Sequence, residues 1–332
     1  MSLPIKPPYF PMEASIAKEL PQGIQWQYEP KWDGFRAIVF RDGAKIQLQS
    51  KSGKPMARYF PELVDVVSRI KAKQFVLDGE IVIPVSGRLS FDDLLMRIHP
   101  APTRVNRLAA EHPATLNVFD LLVDEKGSKL YSLPLAQRRS RLDSFAKKFF
   151  KGIDQIRLSP ATADVEKARA WLADPGSNLD GVIAKDLQME YQSGNRAGMM
   201  KIKRMKTADC VIGGFRYLAK KPLIGSLLLG LYDDQGNLNH VGFTSGIKDE
   251  ERSKLAAKLE PLIAEPGFTG KAPGGENRWS TKESSEWEPL RPKLVVEVQY
   301  DHFTGGRFRH GTRLLRWRPD KSPKQCTLDQ LH

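Results

Sequence analysis

The chain has 332 residues, of which 40% are hydrophobic and 27% charged, as expected for a folded globular protein with room for two domains. It has no apolar run of the ~18 residues that a membrane span needs, and its first stretch, MSLPIKPPYFPM, has no signal-peptide core. Its two cysteines, Cys210 and Cys326, form no CxxC pair for zinc and fit packed thiols in a reducing compartment. The composition therefore excludes a membrane protein and a disulfide-built secreted protein, and it predicts a cytoplasmic location.

Positive charge is the most informative part of the composition. The formal net charge is +13 and the pI is about 9.6. Such an excess of Lys and Arg suits a polyanion, because each neutralised phosphate releases a condensed counterion. A surface that is basic for solubility alone would give the same totals. Composition leaves both interpretations open.

The amino-terminal part predicts an extended arm followed by strands. Four prolines within residues 1–12 disfavour a helix there. From Trp26 the sequence alternates as a strand does, resumes as FRAIVF, and turns at Asp42-Gly43, which is a hairpin signal. Lys31 thus lies on a connection between two strands, with Pro30 on one side and Asp33-Gly34 on the other.

The remainder of the first half predicts a mixture of helices and strands. Apolar residues at helical spacing predict helices over about 60–72, 134–150 and 164–173. FVLDGEIVIP indicates a strand pair with a turn at Asp78-Gly79, and ATLNVFDLLV indicates a buried strand. LDGVIAKD and GMMKIKR complete an α+β first half.

After Lys206 the pattern changes to short strands. Five strand-like segments follow, with one helix near 248–264 between the third and the fourth: ADCVIGGFRYL, GSLLLGLYD, NHVGFTSG, KLVVEVQYDHF and TRLLRWRPDK. A loop rich in Gly, Pro and Ser occupies 265–286. Five strands with one intervening helix are typical of an OB-fold β-barrel. We therefore predict two domains, residues 1–205 and residues 206–332.

Lys31 stands in a K-x-D-G sequence that, taken alone, also fits an ordinary turn. Further pieces with polar or aromatic residues follow it in order along the chain: SKSG (Ser50 to Gly53), Glu80 in LDGEIV, Phe119 beside Asp120, Asp180 and Lys185 in DGVIAK, Lys201 and Lys203 in KIK, and RPDK (Arg318 to Lys321). Neither a hydrophobic core nor a solvated surface accounts for this order.

In this combination the sequence resembles the ATP-dependent DNA ligases of the covalent nucleotidyltransferase superfamily, from about Pro8 to Leu331. The longer matching stretches are YEPKWDGFRA, RYFPEL, RIHPA, GSLLLGLY, RFRH and LLRWRPD. They look most like the bacterial DNA ligase C group and next like the ligase module of ligase D. The resemblance implies an α+β protein with an antiparallel-sheet nucleotidyltransferase (ATP-grasp-like adenylation) domain followed by an OB-fold β-barrel.

The resemblance makes Lys31 the nucleophile that attacks the α-phosphorus of ATP and forms lysyl-AMP. Because a free lysine is mostly protonated at neutral pH, its surroundings must favour the neutral amine. Lys201 and Lys203 alternate on one strand and would supply a positive field at the α-phosphate. These three lysines are the predicted catalytic residues.

The resemblance also implies roles for the other residues. Six residues are assigned to the nucleotide or the nick phosphate: Glu29 (adenine edge, through its side chain or its backbone), Phe119 (adenine stacking), Arg36 and Glu80 (ribose hydroxyls), Lys51 (AMP or nick phosphate) and Lys185. Asp180 and Glu80 are the predicted ligands of Mg²⁺ or Mn²⁺. Arg318, Asp320 and Lys321 would orient the β- and γ-phosphates in the first step only, which implies rotation about a hinge near residue 205.

Two residues depart from the wider family pattern. Lys51 stands where many of these ligases have arginine, so bidentate phosphate recognition is lost while the charge stays. Asp180 stands where most have glutamate, one methylene longer. The second change bears on the metal geometry and not on the class of reaction.

The implied substrate is nicked duplex DNA, bound mostly through its phosphates and therefore weakened steeply by salt. The resemblance further implies a monomer near the nucleoid, with a Ku-type end-binding protein or a repair polymerase as candidate partners. RNA ligases and capping guanylyltransferases share the lysine chemistry and remain alternatives, as does a DNA-binding module without catalysis.

Overall fold

The computed structural model describes residues 1–174, 179–218, 221–274 and 286–331. The chain divides into two compact units, Met1–Arg204 and Met205–His332. Within the described ranges, none of the helices combines the length and hydropathy needed to cross a membrane.

The larger sheet of the first unit has five strands. Their order across the sheet is Lys45–Ser50, Phe35–Asp42, Gln74–Val82, Thr115–Val123 and Ile156–Leu158. Neighbours run antiparallel except for the last pair, which is parallel. Every residue of Thr115–Val123 is buried, which confirms the buried strand that its mostly apolar sequence predicted.

The smaller sheet of the first unit has four strands. In order across the sheet they are Ser15–Ile16, Met199–Lys203, Leu179–Asp186 and Trp26–Trp32. Only the pairing of Ser15–Ile16 is parallel. The predicted antiparallel character of this domain is confirmed apart from one parallel edge pair in each sheet.

Helices cover the sheets of the first unit. They span Pro61–Arg69, Phe91–Met96, Pro102–Glu111, Leu135–Phe149 and Val165–Ala173, with a 3-10 turn at Ala57–Tyr59 and a small hairpin of Pro84–Val85 with Arg88–Leu89. The three helices that the apolar spacing predicted are confirmed. The helices Phe91–Met96 and Pro102–Glu111 were not predicted.

The expected turn at Asp78-Gly79 is wrong, because Gln74–Val82 is one continuous strand. A Cβ at residue 79 would lie 2.7 Å from the Asn117 carbonyl oxygen, so this glycine serves the close approach of two strands rather than a turn. Asp78 is fully buried and is paired with Arg36 and Tyr191. These two partners compensate the charge of the carboxylate inside the domain, so Asp78 does not need the solvent exposure of a turn.

The second unit has the predicted OB-fold arrangement. Its sheet order is Leu238–Thr244, Lys221–Tyr232, Lys206–Leu218, Val295–Tyr300 and Arg313–Trp317, with Glu288–Pro289 paired to the third of these. The helix Asp249–Leu259 and the 3-10 turn Glu260–Leu262 precede the last strands, and Phe303–Thr304 pairs with Arg307–Phe308. Among the described residues the sheet is not closed by a full ladder, and one bridge, Thr244 to Thr312, joins its two edges.

The core of the second unit contains both cysteines. Cys210 and Cys326 are free and fully buried, in agreement with the expected packed thiols. Burial raises the pKa of Cys326 to about 11, which keeps its thiol protonated at neutral pH. Part of the predicted loop at 265–286, residues 275–285, lies outside the described ranges.

Candidate active site

Both sheets of the first unit line one cleft of about 230 Å³. Eight of the predicted site residues lie on its walls: Glu29, Lys31, Arg36, Lys51, Glu80, Phe119, Lys185 and Lys201. Asp180 joins them through an ion pair with Lys31, and Lys203 lies on the strand of Lys201. The structure therefore brings together the predicted residues of this domain, although they come from six separate strands and one turn.

Lys31 lies where the chain passes from the smaller sheet to the larger one. It sits on Trp26–Trp32, and Phe35–Asp42 begins after only Asp33 and Gly34. A Cβ on Gly34 would lie 2.2 Å from the Ile81 carbonyl oxygen, so only glycine permits this crossing. The Asp-Gly pair thus fixes the position of Lys31 relative to the strand that carries Glu80.

Asp180 reaches Lys31 because the neighbouring strand bulges there. Leu179 pairs with Trp32 and Gly181 pairs with Lys31, which leaves Asp180 as the extra residue of a β-bulge. Its carboxylate is 4% exposed and forms an ion pair with the Lys31 ammonium group. Bulges re-aim side chains, and this one directs a carboxylate at the predicted nucleophile.

Lysines form a positively charged region on the smaller sheet. Gly181 pairs with Lys203 on one side and with Lys31 on the other, so the two lysines project from the same face. Desolvation, then repulsion by Lys31 and Lys203, lowers the pKa of Lys201. The structure therefore places Lys201 and Lys203 on the face of the smaller sheet that carries Lys31.

Phe119 is 7% exposed and forms part of the cleft wall. The Arg36 guanidinium carbon lies 4.4 Å from its ring centroid and the Lys185 ammonium nitrogen 4.5 Å from it. Lys185 also pairs with Glu29 at 2.7 Å, and both side chains are buried. An aromatic face bordered by two cations suits an electron-rich heteroaromatic ring.

Glu29 has a fully engaged carboxylate. Besides the ion pair with Lys185, it accepts a hydrogen bond of 2.8 Å from the Gln27 side chain. The sequence left open whether Glu29 meets a ligand through its side chain or its backbone. The side chain already holds Lys185 against Phe119.

The amino-terminal arm forms a wall of the cleft that the sequence did not assign. Residues 11–14 line the cleft. Glu13 pairs with Lys51 at 3.0 Å and with Arg196 at 3.2 Å, and the Lys51 contact is the main cause of its lowered pKa. The prolines predicted an extended arm, but no pattern in the sequence indicated what the arm would contact.

Glu80 is a carboxylate at the cleft wall whose charge is poorly compensated. Desolvation raises its pKa from 4.5 to about 7, against the opposing influence of Arg36 and Lys31. Folding therefore favours the protonated form of Glu80, and it costs free energy to keep this side chain ionised.

Glu80→Gln should become more stabilising as the pH rises. An acid with a raised pKa in the folded state makes stability fall between its unfolded value of 4.5 and its folded value of about 7. Glutamine lacks this dependence, so the stability of the variant relative to wild type should rise by about 2 kcal/mol from pH 5 to pH 8, after allowance for solvent screening. Urea unfolding of the nucleotide-free protein measures it. The exposed Glu190→Gln serves as the control, and an equal difference at both pH values would refute the raised pKa.

The carboxyl-terminal predicted residues form a cluster of their own within the second unit. Arg318 pairs with Asp209 at 2.9 Å and with Asp320 at 2.8 Å, and Lys321 pairs with Asp209 at 2.7 Å. The Arg318 hydrogen bonds lower the pKa of Asp320 to about 2. The carboxylate of Asp209 thus holds the two predicted phosphate ligands side by side, a role that the sequence did not indicate.

Two family models match the chain. The ATP dependent DNA ligase domain matches residues 11–203, and the ATP dependent DNA ligase C terminal region matches residues 220–321. The first contains the cleft and the second contains most of the OB-fold unit.

Curated and solved proteins agree with these matches. DNA ligase C2 of Mycolicibacterium smegmatis is 41% identical over 100% of this chain and 96% of its own, and DNA ligase C of Mycobacterium tuberculosis is 41% identical with the same coverage. The solved ligase domain of M. tuberculosis LigD is 27% identical, with a TM-score of 0.51 over 96% of this chain and 98% of that one. The same values hold for a structure described as mycobacterial DNA ligase D complexed with ATP and MES. The chain belongs to the ATP-dependent DNA ligases.

Proposed function

We propose that this ligase seals nicks with a 5′-phosphate and a 3′-hydroxyl in duplex DNA, by way of an AMP group carried on Lys31. The observation that supports it is the cleft itself. It presents the Lys31 amine, the Phe119 ring and the cations of Lys201 and Arg36 within one domain. A nucleophile, an aromatic platform and phosphate-neutralising charges are what transfer of a nucleotidyl group requires.

In the first step the lone pair of the Lys31 Nζ forms a bond to the α-phosphorus of ATP. The bond between that phosphorus and the bridging oxygen breaks, and pyrophosphate leaves with the electron pair. Attack requires Nζ to lose a proton and to leave its ion pair with Asp180. Lys201 and Lys203, whose strand is separated from that of Lys31 by Leu179–Asp186, neutralise the charge that develops on the phosphate oxygens.

The nucleotide is held by the residues around Phe119. The adenine stacks on the Phe119 ring, while Lys185 and Glu29 close the cleft beside it. Arg36 and Glu80, one on each of two paired strands, bind the ribose hydroxyls. Lys51 lies on the turn after Lys45–Ser50 and contacts AMP or the nick phosphate. In the second unit, Arg318 and Lys321 orient the β- and γ-phosphates during this step.

The carboxylates of the cleft fit a divalent cation. Asp180 and Glu80 offer hard oxygen donors, which Mg²⁺ and Mn²⁺ prefer. The raised pKa of Glu80 marks a carboxylate that an added cation would stabilise. We assign the metal to these two residues. A bound ion would neutralise phosphate oxygens, and the shorter side chain of Asp180, compared with the family's glutamate, bears on which ion is preferred.

The later steps use the DNA. The 5′-phosphate of the nick attacks lysyl-AMP and frees Lys31, and the 3′-hydroxyl then displaces AMP from the adenylated end. The net charge of +13 supplies phosphate contacts along the duplex. Residues 1–205 carry the adenylation site and residues 206–332 the OB-fold domain, with rotation between steps about a hinge near residue 205. Relatives named for non-homologous end joining make a Ku-type protein or a repair polymerase candidate partners.

Labelled nucleotides test the proposal. Purified protein incubated with labelled ATP should gain one covalent AMP and pass it to nicked duplex DNA, which it then seals. Labelled GTP should give no adduct. Sealing of nicked RNA but not of nicked DNA would support an RNA ligase. A GMP adduct would support a capping-type enzyme. If neither nucleotide formed an adduct, a DNA-binding module without catalysis would be the remaining interpretation.

A further inference from the structure

Tyr191, to which no role has been assigned so far, is connected to Arg36 through the carboxylate of Asp78. It is 6% exposed and lies in a segment without regular structure, between the strands Leu179–Asp186 and Met199–Lys203. Its hydroxyl donates a hydrogen bond of 2.5 Å to the Asp78 carboxylate and accepts one of 3.0 Å from the Met12 backbone N–H. A phenol has one proton to donate, and this geometry uses it on Asp78.

Asp78 in turn holds Arg36 by two parallel bonds. The guanidinium Nε and Nη2 each lie 2.6 Å from an Asp78 carboxylate oxygen. Such a bidentate pair fixes the plane of the guanidinium as well as its position. Because Asp78 is fully buried, the pair is stable only while the remaining acceptor capacity of the carboxylate is satisfied, which the Tyr191 hydroxyl does.

The contacts close into a ring through the amino-terminal arm. Arg36 Nη2 donates to the Met12 carbonyl oxygen at 3.3 Å, and Met12 returns to Tyr191 through its N–H. Among the described residues, the hydrogen bonds of Arg36 involve Nε and Nη2, so Nη1 stays available to a ligand. Met12 also lines the cleft.

The Tyr191 ring is itself held in place. It stacks on Tyr9 with ring centroids 6.2 Å apart and an angle of 22° between the planes, and the Arg138 guanidinium lies 5.7 Å from its centroid. Arg138 is fixed by a buried ion pair with Asp120, the residue after Phe119. Burial, then the nearby Asp78 charge, raises the pKa of Tyr191 well above its usual range, so the hydroxyl remains a donor.

We propose that Tyr191 is a positioning residue for the nucleotide: through Asp78 it sets the plane of Arg36, and thereby the recognition of the ribose hydroxyls. The inference rests on the proposed function, in which Arg36 and Glu80 bind the ribose. It adds to that function a specificity determinant that touches neither the nucleotide nor Lys31.

Tyr191→Phe tests this with full-length protein, by the rate of lysyl-AMP formation over a range of ATP and 2′-deoxy- and 3′-deoxy-ATP concentrations. We expect the KM for ATP to rise about 5- to 20-fold with little change in kcat, because one hydrogen bond to a charged pair is lost. Wild type should use one of the two deoxy nucleotides less efficiently than ATP, and the ratio of kcat/KM for ATP to kcat/KM for that nucleotide should be smaller in the variant. In an Arg36→Lys background, Tyr191→Phe should add nothing further.

Tyr28→Phe is the matched control, since it removes a buried tyrosine hydroxyl that donates to the Pro21 carbonyl oxygen at 2.6 Å, outside the ring of contacts. Its KM and its discrimination should match wild type. If Tyr191→Phe does not fold, the same measurements are made on Asp78→Asn. An unchanged KM, a loss in kcat alone, or an equal loss with ATP and the deoxy nucleotides overturns the inference. Wild type that forms no lysyl-AMP would instead refute the proposed function.

Discussion

Lys31→Ala should abolish covalent labelling by ATP and lower the rate of nick sealing by about 10⁴-fold or more, because no other group can form the nucleotide adduct in its place. In the proposed mechanism Lys201 and Lys203, which are one strand removed from that of Lys31, neutralise phosphate charge and do not form the bond that Lys31 makes. Labelling with radioactive ATP, followed by denaturing electrophoresis, measures the adduct directly. Lys31→Arg should fail equally, since a guanidinium stays protonated and is a poor nucleophile.

The Lys31 variants should nevertheless keep the last chemical step. Nicked DNA supplied with a pre-adenylated 5′ end bypasses lysyl-AMP, and Lys31→Ala should seal it at a rate within about tenfold of wild type. Lys18→Ala, which removes an exposed lysine near the start of the chain, should behave as wild type in both assays. An adduct that still forms on Lys31→Ala would contradict the assignment of the nucleophile. Loss of sealing on the pre-adenylated nick would indicate that Lys31 acts in the third step as well.

Local patterns in the sequence were sufficient to predict most regular elements. The helix Pro61–Arg69 was predicted from apolar residues that the structure buries, and its first residue is a proline, which suits that position. The five strands and one helix of the second unit also follow from their spacing. The helix Phe91–Met96 was not predicted, because six residues are too few to show a helical period in the sequence.

The contacts inside the cleft could not be predicted from local patterns, because they join distant parts of the chain. Asp78 lies 42 residues from Arg36 and 113 residues from Tyr191 in the sequence. The Asp78-Gly79 pair was interpreted as a turn and gave no indication of a buried ion pair. The carboxylates of Asp78 and Glu80 inside a mostly apolar strand were the available signal, since a buried carboxylate must be paired. Glu13 and Met12 offered none, because an extended arm shows where it packs only in three dimensions.

The bulge at Asp180 is a second feature that no pattern predicted, and Gly181→Ala should expose its importance. Gly181 has a φ of +150°, and a Cβ there would lie 2.1 Å from the Ile202 carbonyl oxygen. Backbone strain and this overlap should together destabilise the protein by about 3 to 5 kcal/mol, measured by urea unfolding. Since the residue sits between Lys31 and Lys203, folded Gly181→Ala should also form lysyl-AMP more slowly.

Gly43→Ala separates the two causes of that loss. Gly43 has a φ of +63°, but no atom lies within 4 Å of an added Cβ, so this variant carries backbone strain without overlap. It should cost about 1 kcal/mol and leave adduct formation unchanged. If Gly181→Ala lowered the free energy of unfolding by no more than Gly43→Ala does, the strands around Asp180 would be able to move apart and accommodate the added Cβ. The bulge would then not be what holds that carboxylate against Lys31.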